Sequence, residues 1–90
     1  MRRYLILWSP GGQEVSSSRD AMKHLIQKNA QTVWVYDSKG WWISFADRDA
    51  NGKPYRPLMC PDGEPRKYYA ELYHALISKA RLQEGQSCKV

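Results

Sequence analysis

No apolar run in these ninety residues approaches the roughly 20 that a membrane-spanning helix needs. Cysteine is scarce as well. Only Cys60 and Cys88 are present, the second in a polar tail. A disulfide-stapled secreted domain is denser in cysteine, so free thiols in a reducing compartment are the expected state. The start of the chain, MRRYLILWSPGG, is basic, but its apolar stretch runs only from Tyr4 to Trp8. That is shorter than the apolar segment of a signal peptide, and no small-residue cleavage site follows. The expectation is a mature, cytoplasmic protein with no membrane partner. Acids are the minority charge: nine Asp and Glu against fourteen Lys and Arg leave a net +5. A basic balance suits an anionic partner such as nucleic acid, although +5 is also ordinary for a soluble small domain.

The side chains of catalysis are thin. There are two histidines, His24 and His74, and no local Ser-His-Asp, Cys-His or paired-carboxylate arrangement. Cys60, Cys88, His24 and His74 show no close pair of zinc-ligand spacing. The stretch SPGGQEVSSS has the look of a phosphate-cradling loop. It lacks the Lys-Ser/Thr ending of a P-loop and the third glycine of a dinucleotide fingerprint, and reads as a plain connection. No enzyme activity, metal or cofactor is expected.

What is present is a globular composition, 42% hydrophobic and 26% charged. One domain is expected over residues 1–82, with a flexible tail over 83–90. YLILWS, at 4–9, predicts a strand closed by Pro10-Gly11-Gly12. A helix follows over 18–29. Ser17 or Ser18 can cap it, Asp20 sits near its positive end, and Ala21, Met22, Leu25 and Ile26 form its apolar stripe. Next comes TVWVYDSKGWWISFAD, at 32–47. Its Asp-Ser-Lys-Gly suits a type I turn with a bulged glycine, so that Asp37 faces Trp41 across a hairpin. That register puts Val33, Val35, Trp41, Ile43 and Phe45 on one face, and Trp34, Tyr36, Trp42, Ser44 and Ala46 on the other. After a second turn at 49–52, KPYRPLMC can return only as an edge strand, since Pro54 and Pro57 cannot donate to a ladder. Residues 66–82 predict a second helix with Tyr69, Leu72, Tyr73, Leu76, Ile77 and Ala80 as its stripe. The fold class is therefore α+β, an antiparallel three- to four-stranded sheet with two amphipathic helices in the order β-α-β-β-(β)-α. Both helices are expected on one sheet face.

Such an arrangement leaves Trp34, Tyr36 and Trp42 open, extended by Tyr4 or Trp8. Exposed aromatic patches normally mark an interface. Bases stack on such rings, and flanking cations hold phosphates. The candidate cations are Arg48, Lys53, Arg56, Arg66 and Lys67, the last two opening a helix. The bland alternatives are a helix on each face, which buries the rings, or a homodimer seam. Acids are interspersed among the cations, and no run of like charge exceeds two residues.

From residue 18 to 82 the order helix–three strands–helix, with Arg66-Lys67 opening the last helix, is similar to that of double-stranded-RNA-binding domains. RKYYAELY stands where that family has an alanine- and lysine-rich helix start. The strand–strand–strand–helix part also resembles the DNA-binding domains of phage integrases. Both likenesses are of element order and not of motif. The expected function is a small, basic, non-enzymatic domain that binds DNA or RNA through an aromatic sheet face and flanking Arg and Lys. The alternative is a protein-binding inhibitor or adaptor, of the kind phages and mobile elements encode, using the same face. A toxin-type ribonuclease with His74, Arg66 and Tyr69 as its acid–base and phosphate groups is a third class, resting on size and charge alone.

Overall fold

The computed structural model describes residues 2–58 and 63–87. Cys60 and Cys88, and the end of the expected return strand, lie outside the described residues. The chain forms β1 (Tyr4–Ser9), β2 (Gly12–Ser16), α1 (Ala21–Gln27), β3 (Thr32–Tyr36), β4 (Trp42–Arg48), β5 (Pro54–Tyr55) and α2 (Lys67–Ser87). The fold is α+β: one five-stranded sheet in the order β2-β1-β3-β4-β5, with every neighbouring pair antiparallel. The added strand is β2. Its polar GQEVS, expected as a plain connection, lacks the apolar alternation of a strand, but it folds back tightly on β1 with Trp8 opposite Gly12 and Tyr4 opposite Ser16. Its one aliphatic side chain, Val15, stands opposite the buried Leu5, and the ladder to β1 pairs its backbone. β5 is the expected edge strand, only two residues long.

α1 is shorter than expected and starts at a different cap. Asp20, not Ser17 or Ser18, is the N-cap, and its carboxylate accepts from the amides of Met22 and Lys23 at 3.1 and 3.4 Å. Its inward face is Ala21, His24 and Leu25, while Ile26, expected in the stripe, is 60% exposed. α1 packs on one sheet face, where Ala21 and Leu25 meet Ile6, Val33, Val35 and Ala46. Burial of each large side chain there contributes on the order of 1.5–3 kcal/mol.

α2 packs on the opposite face, so the expectation of both helices on one face is corrected. Tyr36 follows Val35 on β3 and therefore points away from α1, and its ring stacks on Tyr69 of α2 at 4.0 Å. Leu5, next to Ile6 on β1, is likewise fully buried yet outside the α1 cluster. The cause is in β1 itself. YLILWS is apolar at consecutive positions, so both of its faces need cover. α2 packs mainly on β1 and β2; toward β3 and β4 its Tyr69 covers Tyr36, while Trp34, Trp42 and Phe45 stay partly exposed. It runs to Ser87, past the expected end at residue 82.

Candidate nucleic-acid interface

The β3–β4 turn forms as its sequence demands. The Asp37 amide donates to the Trp41 carbonyl at 2.9 Å and the Gly40 amide to the Asp37 carbonyl at 3.1 Å. The Asp37 carboxylate accepts from the amides of Lys39 and Trp41, both at 2.9 Å. The register then changes. Tyr36 pairs with Trp42, but Val35 pairs with Ser44, so Ile43 is an extra, bulged residue. Beyond the bulge every side chain of β4 switches face. Phe45 joins Trp34, Tyr36 and Trp42, while Ser44 and Ala46 turn into the core, the reverse of the expected sets. Tyr4 and Trp8 do not extend this surface, because both pack with the α1 cluster.

The aromatic face is therefore built of Trp34, Trp42 and Phe45, all half-buried, with Tyr36 behind them at 7% exposure under Tyr69. Trp34 and Phe45 sit opposite each other across the strands with ring centroids 6.0 Å apart. Trp42 meets Phe45 edge-on at 5.7 Å. The Trp42 indole N–H donates to the Ser44 carbonyl at 3.1 Å, which fixes the ring's orientation. A shallow hollow of about 250 Å³ opens here, lined by Trp34, Tyr36, Trp42, Arg66 and Tyr69.

Gly40 brings Arg66 to that hollow. The Arg66 amide donates to the Gly40 carbonyl at 3.0 Å, and the Arg66 carbonyl in turn accepts from the amides of Tyr69 and Ala70 that open α2. Gly40 has φ +91°, and a Cβ there would overlap the Arg66 carbonyl oxygen. The hairpin turn and the start of α2 can meet only through glycine.

Of the expected site residues, the structure brings Trp34, Tyr36, Trp42 and Arg66 together. Lys67 follows Arg66 at the helix start, exposed and 3.9 Å from Glu71 one turn on. The other three cations are elsewhere. The Arg48 guanidinium donates to the carbonyls of Ala30 at 2.7 Å, Gly52 at 3.1 Å and Leu25 at 3.4 Å, which closes the C-terminal end of α1. Arg56 pairs with the carboxylate of Asp20, at the start of α1. Burial works to raise the Asp20 carboxyl, but the Arg56 guanidinium and the Lys23 and Met22 amides outweigh it and hold it below its usual value. Lys53 sits in the β4–β5 turn, its amide bonded to the Asp49 carboxylate at 2.9 Å.

A second concave region was missed in the sequence because its residues lie far apart in the chain. It runs between the β3–β4 turn, the N-terminal residues and α2, as two adjoining hollows of about 460 and 650 Å³. Arg3, Ser38 and Tyr73 line both, Trp41 and Lys39 the first, His74 and Arg81 the second. His74 is exposed, as expected, and stands in a different hollow from Arg66 and Tyr69. His24 is 4% exposed. Its Nε2 lies 3.3 Å from the Ser18 carbonyl, and its Nδ1 is 3.4 Å from Glu14 without hydrogen-bond geometry. Glu14 also pairs with Lys28 at 3.3 Å, and the Lys28 ammonium sits 5.4 Å from the Trp8 ring. Among the described residues no three His, Cys, Asp or Glu side chains converge as metal ligands, and no helix is long and apolar enough to cross a membrane.

Comparison with known proteins found no matching family model, no matching curated protein and no matching solved structure.

Proposed function

We propose that this protein is a non-enzymatic binding domain that takes up nucleic acid, DNA or RNA, on the aromatic face of its sheet. The observation that carries the reading is the partly exposed half of that face: Trp34 and Trp42 line a shallow hollow with Arg66 and Tyr69 at the N-terminal end of α2, away from the main packing of that helix on β1 and β2. Each base stacked on such a ring contributes roughly 1–3 kcal/mol. The net charge of +5 favours the approach of a polyanion.

A protein partner on the same face is the second reading. It is favoured by the edge-to-face packing of Trp42 and Phe45, which makes the rings one continuous apolar surface. Salt separates the two. Nucleic-acid affinity should fall steeply between about 50 and about 200 mM salt, whereas an aromatic protein contact should be nearly indifferent.

Trp42→Leu, which keeps apolar volume and removes the ring, should weaken oligonucleotide binding about tenfold, the equivalent of roughly 1.4 kcal/mol. Trp34→Leu should do the same from the other side of Phe45. Fluorescence anisotropy with a labelled oligonucleotide measures both, and urea unfolding runs beside it. A loss of stability with affinity unchanged in both variants would assign the rings to the core and overturn the reading.

A further inference from the structure

Resting on that reading, we infer that the bound strand is single-stranded, and that its phosphates lie in the basic cleft between α2, the N-terminal residues and the β3–β4 turn. Arg2, Arg3, Lys39 and Arg81 converge on the two adjoining hollows from three separate parts of the chain. All four are exposed, and among the described residues none of them makes an ion pair. Asp37 is the one acidic residue among the described residues lining either hollow, and its carboxylate is occupied by the amides of Lys39 and Trp41. Four such cations around a groove, with the one acid among its described lining residues bound into a turn, form a site for a polyanion.

The cleft is continuous with the aromatic hollow. Tyr69, Tyr73, Ile77 and Arg81 recur every fourth residue and form one face of α2. Tyr69 lines the aromatic hollow, Tyr73 lines both basic hollows, and Ile77 and Arg81 line the farther one. The track spans about 18 Å of helix. On the opposite wall Tyr36 belongs to the aromatic hollow, while Asp37 and Ser38, the next residues, belong to the basic one. A backbone in the cleft can therefore reach the rings of Trp34 and Trp42 with its bases. Only unpaired bases can turn out to stack there, which a duplex does not offer.

The experiment is the salt dependence of binding to a mixed-sequence single-stranded oligonucleotide, with a duplex of the same sequence as competitor. Arg3→Gln with Arg81→Gln should weaken binding several-fold at low salt. It should also flatten the slope of log affinity against log salt by about 0.7 for each cation removed. Arg19→Gln with Lys23→Gln makes the same charge change at exposed positions before and on α1, and should leave the slope close to that of the unaltered protein. The single strand should outcompete the duplex. Equal slope changes from the two pairs, or preference for the duplex, would overturn this inference while leaving the aromatic reading intact. No binding of the unaltered protein to either form at low salt would overturn the reading and this inference with it.

Discussion

Arg48 shows how far a charged residue's role depends on acceptors that no sequence pattern marks. It reads as one of several cations flanking an aromatic strand, yet its guanidinium is spent on the carbonyls of Leu25, Ala30 and Gly52. Arg48→Met keeps the apolar stem and removes every donor. The change should cost about 2–3 kcal/mol in urea unfolding, because carbonyls at the end of α1 lose a charged partner, and it should leave oligonucleotide affinity unaltered. Asp20 carries a smaller contribution. Loss of its cap in Asp20→Ala should cost about 1 kcal/mol at neutral pH, with the exposed Arg56 pair adding little. Its carboxyl titrates lower in the folded chain than in the unfolded one, so the unfolded state binds the proton first as pH falls. The stability difference between Asp20→Ala and the unaltered protein should therefore be full above about pH 5 and fade as pH drops below about 4. Urea midpoints across that range measure it.

At the scale of elements, the turns and the long helix were legible and the faces were not. Asp37-Ser38-Lys39-Gly40 carries its own instructions: an Asp to accept amides and a glycine for positive φ. The bulge at Ile43 has no such signature. A single extra residue moved Phe45 to the aromatic surface and Ser44 and Ala46 to the core. The helix placement had a signal that was there to use. Leu5 and Ile6 are adjacent and both fully buried, and a run without alternation is what a strand covered on both faces requires. Gly40 is the joint between these elements. Gly40→Ala meets both the strained φ and the Arg66 carbonyl. It should destabilise the chain by at least about 1–3 kcal/mol and release the start of α2. Amide exchange at Tyr69 and Ala70, whose N–H groups bond to Arg66, should quicken first.

Across the whole molecule, the sheet separates two sets of side chains that the sequence interleaves. The α1 face takes the fully buried aliphatic residues Ile6, Leu25, Val33 and Val35, together with Trp8 and the cations Arg48 and Lys28. The α2 face takes Trp34, Trp42 and Phe45, and borders the cleft of Arg3, Lys39 and Arg81. The aromatic half of the site could be read from the alternation of β3. The basic half could not, since it is assembled from the chain start, a hairpin turn and the last helix. The four indoles are distributed across these surfaces: Trp34 and Trp42 on the open face, Trp41 in the basic cleft, and Trp8 under Lys28 on the far side. Their side-chain N–H signals in a nitrogen–proton correlation spectrum, followed during titration with a short single-stranded oligonucleotide, report where a strand sits on the protein. The Trp34, Trp42 and Trp41 signals should move together and saturate, with Trp8 unmoved. Movement of Trp8 alone, or of none of the four, would contradict binding at this site.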